Sequence, residues 1–155
     1  MAKVTVGKKV PDFSSTTTAG ESWRLKDARG GKLVLFFYPK DMTSGCTLEA
    51  QAFRDLQAAF RKAGTTVIGV SRDSCKSHQK FKDKEKLNFE LLSDEDESLC
   101  KLFDVIREKN MYGKKVMGIE RSTFLIDAEG VLVQEWRKVK VDGHAEAVLE
   151  AAKAL

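Results

Sequence analysis

Residues 33–37, Leu-Val-Leu-Phe-Phe, are apolar without alternation, the pattern of a short strand covered on both faces. From about residue 44 the pattern changes period. Leu48, Ala52, Phe53, Leu56, Ala59, Phe60 and Ala63 recur three and four apart, which predicts an amphipathic helix with that stripe in the core. Gly64 is placed to end it in a left-handed cap. Residues 65–71 then form a second apolar strand, and strand–helix–strand in this order implies a right-handed crossover joining a parallel pair.

Upstream, residues 11–25 read as an extended segment, a turn at Gly20 and a second extended piece, a β-hairpin leading into the domain. Downstream, Asp73 or Ser74 can cap a helix running through His78 and Phe81 to about Glu85, although its apolar face is thin. A short strand over 89–93 and a short helix within 94–105 follow. Residues 107–118, with Asn110, Gly113 and Gly118, read as a loop. Residues 121–126 and 131–136 flank Asp127-Ala128-Glu129-Gly130 as a second hairpin, and 143–155 form a closing amphipathic helix around Val148 and Leu149. A parallel βαβ unit followed by a hairpin and a helix is the order of a thioredoxin-like α/β fold: a mixed central sheet with helices on both sides, here with an N-terminal hairpin extension. At 155 residues the expectation is one domain, 1–155.

Composition narrows the function classes. The formal charge is +4, and the densest basic stretches, Arg107-Glu108-Lys109 with Lys114-Lys115 and Arg137-Lys138-Val139-Lys140, are short and interrupted. They read as solvated faces rather than a nucleic-acid surface. No apolar run approaches the ~20 residues of a membrane span, and the N-terminus lacks the apolar stretch of a signal peptide, so the expected location is the cytoplasm. Cys46, Cys75 and Cys100 are widely spaced, with no C-x-x-C pair. The pattern fits neither a disulfide scaffold nor a zinc site, and His78 and His144 lie in no metal-ligand spacing.

Cys46 carries the candidate chemistry. It falls where the first strand turns into the long helix, among free backbone N–H groups and the positive end of the helix dipole, which favour a thiolate over a thiol. That placement suggests nucleophilic or redox sulfur.

The run Pro39-x-x-x-Thr43-x-x-Cys46, with Glu49 three residues on and Arg121 heading a distant strand, resembles the active-site signature of the peroxiredoxins. The match is nearest to the bacterioferritin-comigratory, or Q-type, subfamily, and it spans most of the chain through residues 36–41, 69–74 and 118–126. The resemblance implies a peroxidase that reduces hydrogen peroxide and organic hydroperoxides without metal, haem or flavin. It implies Cys46 as the nucleophile that becomes a sulfenic acid. Arg121 would favour the thiolate and hold the peroxide oxygens, and Thr43 with the N–H groups of Gly45 and Cys46 would complete the donor set. Glu49 would orient Arg121, and Pro39 would shield the sulfur from water. Ser44 stands where the subfamily often has proline.

The sulfenic acid must then be reduced. Positions that hold a resolving cysteine in many relatives carry Gln51 and Lys82 here. Cys75, at the start of the next helix, is the remaining candidate, but only with partial unwinding, because disulfide Cα atoms come within ~7 Å. The alternative is direct attack by an outside thiol, thioredoxin or another reductant. Cys100, between Leu99 and Leu102, reads as core. A monomer is the expected state. Without a paired cysteine, a thioredoxin-type disulfide exchanger is the weaker reading.

Overall fold

The computed structural model describes residues 3–28 and 30–155, apart from the side chain of Met111. Its frame is a seven-stranded mixed sheet. The apolar run becomes β3 (Lys32–Phe37), with Leu33 to Phe37 at most 1% exposed. Both faces of that strand are covered. Val34 and Phe36 pack with Phe53, Phe60, Phe81 and Val148 on one side, while Leu33, Leu35 and Phe37 pack with Ile68, Phe103 and Phe124 on the other. Period-2 geometry sends alternate residues to opposite faces, so an unbroken apolar run is what a doubly covered strand requires.

Strand β4 (Thr65–Ser71) lies parallel to β3, and β5 (Glu90–Ser93) lies parallel to β4. The first connection is helical, but it is two helices, α1 (Ser44–Asp55) and α2 (Gln57–Lys62), with a break at Leu56. The break keeps Phe53 and Phe60 on one cluster, their rings 5.8 Å apart. Gly64 ends α2 with φ +66°, the expected left-handed cap. Gly69 in β4 answers a different need: a Cβ there would stand 2.8 Å from Phe36 and from Leu91.

The second connection contains α3 (Cys75–Glu85), capped by Ser74, whose hydroxyl accepts from Ser77 N–H at 3.1 Å. Strands β8 (Ser122–Ile126) and β9 (Leu132–Trp136) form the expected hairpin, antiparallel to β3, and α5 (His144–Lys153) closes the chain. At the far edge β1 (Ser14–Thr17) and β2 (Ser22–Arg24) pair as the N-terminal hairpin, β1 also joining β5. The helix expected within 94–105 is a short one, α4 (Ser98–Leu102), whose N–H groups at Leu99 and Cys100 are held by Asp94.

Two further expectations are corrected. Residues 107–118 are not a loop: β6 (Ile106–Met111) and β7 (Lys114–Ile119) form a separate antiparallel ribbon. Its turn is Tyr112-Gly113 with φ +53° and +80°, the two-residue geometry in which both central residues are left-handed. Polar residues on both faces hid its alternation. Leu48, placed in the core stripe from its spacing, is 59% exposed. The inward face of α1 begins instead with Cys46, Glu49, Ala50 and Phe53. Among the described residues, no helix is long and apolar enough to cross a membrane.

Candidate active site

Sheet register explains why residues 75 apart in the chain meet. Phe37 at the end of β3 pairs with Ser122 at the start of β8, so Arg121 enters opposite Tyr38, where β3 hands over to the segment leading into α1. Cys46 sits in the first turn of α1, 1% exposed, with its Sγ 3.4 Å from Arg121 Nη2. Glu49, one turn along the same face, accepts from Arg121 Nη1 at 2.6 Å. The guanidinium thus spans the carboxylate and the sulfur with adjacent nitrogens. Gly45 makes room for it, since a Cβ at that position would stand 3.1 Å from Arg121 Nη2.

The electrostatics of this trio are those of buried charge. Burial pushes Glu49 up to about 7, against the pull of Arg121, and its Oε2 has no hydrogen-bond partner among the described residues. Burial also opposes the charge of Arg121, yet Glu49 and Cys46 together hold it above its ordinary value. Lys109, read from sequence as part of a solvated face, is only partly exposed and donates to Ile119 O. Burial and then the nearby Arg121 charge lower its pKa, while Cys46 pulls the other way. No sequence signal distinguished it from its lysine neighbours.

Thr43 is at the N-cap position of α1 with extended backbone (φ −81°, ψ 157°), but its side chain makes no cap bond. Its hydroxyl donates to Lys40 O at 2.8 Å. The expected donor therefore has its hydrogen engaged, and what it can offer a ligand is a lone pair. Pro39 lies partly exposed just past β3, in the segment leading to α1.

Sequence reading missed a polar cluster behind this segment. Asp41, 4% exposed, accepts from Tyr38 Oη at 2.6 Å and from Ser77 Oγ at 2.8 Å, and its Oδ2 lies 2.7 Å from His78 Nδ1. Its backbone N–H donates to Asp73 Oδ2 at 2.8 Å. Burial first, then Asp41, pushes the Tyr38 phenol well above its ordinary value, so it stays a donor. Asp41, Asp73 and His78 bring ligand atoms within 4.8 Å of one another, but each is engaged in these hydrogen bonds. The available hint was that His78 and Phe81, three apart, are the buried face of α3.

Cys75 and Cys46 are not brought together. Cys75 opens α3 and its Sγ lies 3.4 Å from Thr17 O in β1, facing a polar cleft of about 460 Å³ lined by Ser15, Thr16, Ser22, Ser93 and Asp96. That cleft is remote from Arg121: β1 and β8 are four places apart in the sheet, roughly 19 Å at ~4.8 Å per strand. Cys100 is fully buried, its thiol pushed up by burial and by Asp94, in keeping with a core residue.

Known proteins match this chain along nearly its whole length. Residues 6–135 match the AhpC/TSA family. A peroxiredoxin Bcp of Xanthomonas campestris is 56% identical over 143 residues, 92% of this chain and 89% of that one. The chain belongs to the peroxiredoxins, of the Bcp or Q type. The peroxiredoxin Bcp of Bacillus subtilis is 49% identical over 150 residues, 97% of this chain and 96% of its own. Among solved structures, the PrxQ of Xylella fastidiosa superposes with a TM-score of 0.93 at 44% identity, covering 99% of this chain and 98% of that one. A Xanthomonas campestris structure described for its alkyl peroxide reduction activity superposes with a TM-score of 0.87 at 55% identity, over 92% and 90% of the two chains. As a peroxiredoxin the chain is a thiol-dependent peroxidase on a thioredoxin-like fold.

Proposed function

We propose that this peroxiredoxin reduces hydrogen peroxide and organic hydroperoxides at Cys46 and is recycled by an outside thiol. The observation that carries the reading is Arg121 Nη2 at 3.4 Å from Cys46 Sγ, a cation with donors to spare beside a sulfur in a helix first turn. The Cys46 thiolate attacks the terminal oxygen of the hydroperoxide; the S–O bond forms, the O–O bond breaks, and the departing alkoxide or hydroxide takes up a proton. Arg121 and the N–H groups of Gly45 and Cys46 face the oxygens where negative charge gathers. Thr43 accepts the hydrogen of the peroxide's terminal O–H, Glu49 holds Arg121 in line, and Pro39 shields the sulfur without offering an N–H. The product is the Cys46 sulfenic acid.

Two outside thiols then return it to the thiol, yielding one disulfide and water. Gln51 is engaged with Glu85 at 2.8 Å, and Cys75 faces another cleft, which supports an external reductant over an internal disulfide. A dithiol protein of the thioredoxin kind is the reductant we favour, with Cys75 as the second reading should α3 unwind. We read the chain as a single domain, 1–155, working as a cytoplasmic monomer on small peroxides, without metal or organic cofactor. Cys46→Ser tests the core of this: peroxide consumption with a thiol reductant should vanish while the fold is retained. Turnover that survives would move the nucleophile elsewhere.

A further inference from the structure

Why the segment between β3 and α1 holds its shape is answered by His78, a residue the chemistry above does not use. Its imidazole is fully buried, with Nδ1 at 2.7 Å from Asp41 Oδ2 and Nε2 at 2.9 Å from Leu92 O. A backbone carbonyl can only accept, so Nε2 carries a hydrogen. Asp41 already accepts from Tyr38 on one oxygen and from Ser77 on the other, so its carboxyl group presents lone pairs. A bare Nδ1 would set a lone pair against them at 2.7 Å. A hydrogen between Nδ1 and Asp41 Oδ2 removes that clash, whichever of the two atoms holds it, so the pair is joined by a hydrogen bond.

We propose that His78 is a positioning residue for the peroxidase site: hydrogen-bonded through both ring nitrogens, it clamps Asp41, and with it residues 38–43, onto α3 and β5. The inference rests on the assignment of Cys46 as the reacting sulfur. The pair is not isolated. Asp73 faces it from the turn before α3, accepting from Asp41 N–H and from Ser71 Oγ at 2.6 Å, and Tyr38 faces it from the end of β3. A buried pair held by several hydrogen bonds resists separation, because freeing either partner strands a buried polar group.

The clamp acts on both halves of the cycle, in opposite senses. Residues 38–43 end at Thr43, the residue before α1, so holding them keeps Thr43 and Cys46 facing Arg121 for attack on peroxide. The same hold keeps Cys46 at 1% exposure, out of reach of the thiol that must reduce it. Releasing the clamp should slow oxidation and speed access.

Asp41→Ala, which removes both carboxyl oxygens, and His78→Gln are the variants. The readouts are the second-order rate of Cys46 oxidation by hydrogen peroxide and the rate at which iodoacetamide alkylates reduced Cys46, located by peptide mass. Oxidation is expected to fall about 10- to 100-fold, as for a misplaced reacting group, with alkylation rising several-fold. Parallel falls in both rates, or no change in either, would overturn the clamp. A third arm needs no variant: ¹⁵N NMR of the folded wild type should show both ring nitrogens of His78 in hydrogen bonds, with a slowly exchanging hydrogen on Nε2, and a fast-exchanging ring would overturn the proposal even if both variants failed to fold. Failure of the underlying assignment has a separate sign, since peroxide would then leave Cys46 of the wild type unoxidised.

Discussion

At Arg121 one guanidinium serves two acidic groups, and the balance between them sets what single substitutions do. Arg121→Lys keeps the charge but not the fork that reaches Glu49 and Cys46 together; kcat/KM for peroxide should fall about 100-fold or more. A loss under threefold, measured by competition for peroxide, would mean that charge alone suffices. Gly45→Ala is a finer probe, because its new methyl would meet Arg121 Nη2 at 3.1 Å. About a 10-fold loss of oxidation rate with an unchanged melting temperature is expected, the mark of displaced geometry rather than a damaged fold. Cys46 was legible as a candidate from its place between strand and helix, while Thr43, Glu49 and Arg121 joined it only through the family resemblance; the structure brings Glu49 and Arg121 to Cys46. The sense of Thr43's hydrogen bond was not legible, because the direction of a hydroxyl depends on the Lys40 carbonyl that the turn brings to it.

Helix α1 was predicted from an apolar stripe, yet its first inward turn belongs to Cys46 and Glu49. The spacing placed a helical connection correctly but missed its break at Leu56 and rotated its first turn wrongly, because a site residue facing inward looks polar to a periodicity count. Strand β4 makes the converse case, where packing alone fixes a residue. Gly69→Ala would place a methyl 2.8 Å from Phe36 and Leu91 side chains that are themselves buried. Overpacking of this kind costs about 1–3 kcal/mol, and urea midpoints should show it; a neutral result would mean that the Phe36 ring has somewhere to go. The ribbon of β6 and β7 was illegible for a different reason. It has little core to cover, with exposed Tyr112 at its turn and Val116 and Met117 outward, so neither burial nor alternation marks it.

Across the whole molecule, two buried groups near Arg121 tilt stability in opposite directions with pH. Glu49 is raised to about 7 in the fold from an ordinary 4.5, so between those values the native state binds the extra proton. Its contribution is present at low pH and is lost as pH rises through about 7. His144, 6% exposed and bonded to Thr123 at 2.8 Å, is lowered by burial to about 4 from 6.5. There the unfolded chain binds the extra proton, and stability is lost as pH falls from 6.5 toward 4. Where the windows overlap the two slopes oppose each other. Glu49→Gln should therefore leave stability rising with pH between about 5 and 6.5, and His144→Asn should leave it falling, by about 1 kcal/mol per pH unit relative to wild type. Parallel curves for all three proteins would refute the shifts. None of this could be read from sequence, because it depends on β8 running antiparallel to β3, which brings the charge of Arg121 near both groups. The same register underlies the central claim that Cys46 is oxidised alone and reduced from outside. Its most direct test is the intact mass of reduced protein after one equivalent of hydrogen peroxide with a sulfenic-acid trap present. One trapped adduct, mapped to Cys46, is the predicted result; a loss of about two mass units, reporting an internal disulfide, or an unmodified Cys46 would contradict it.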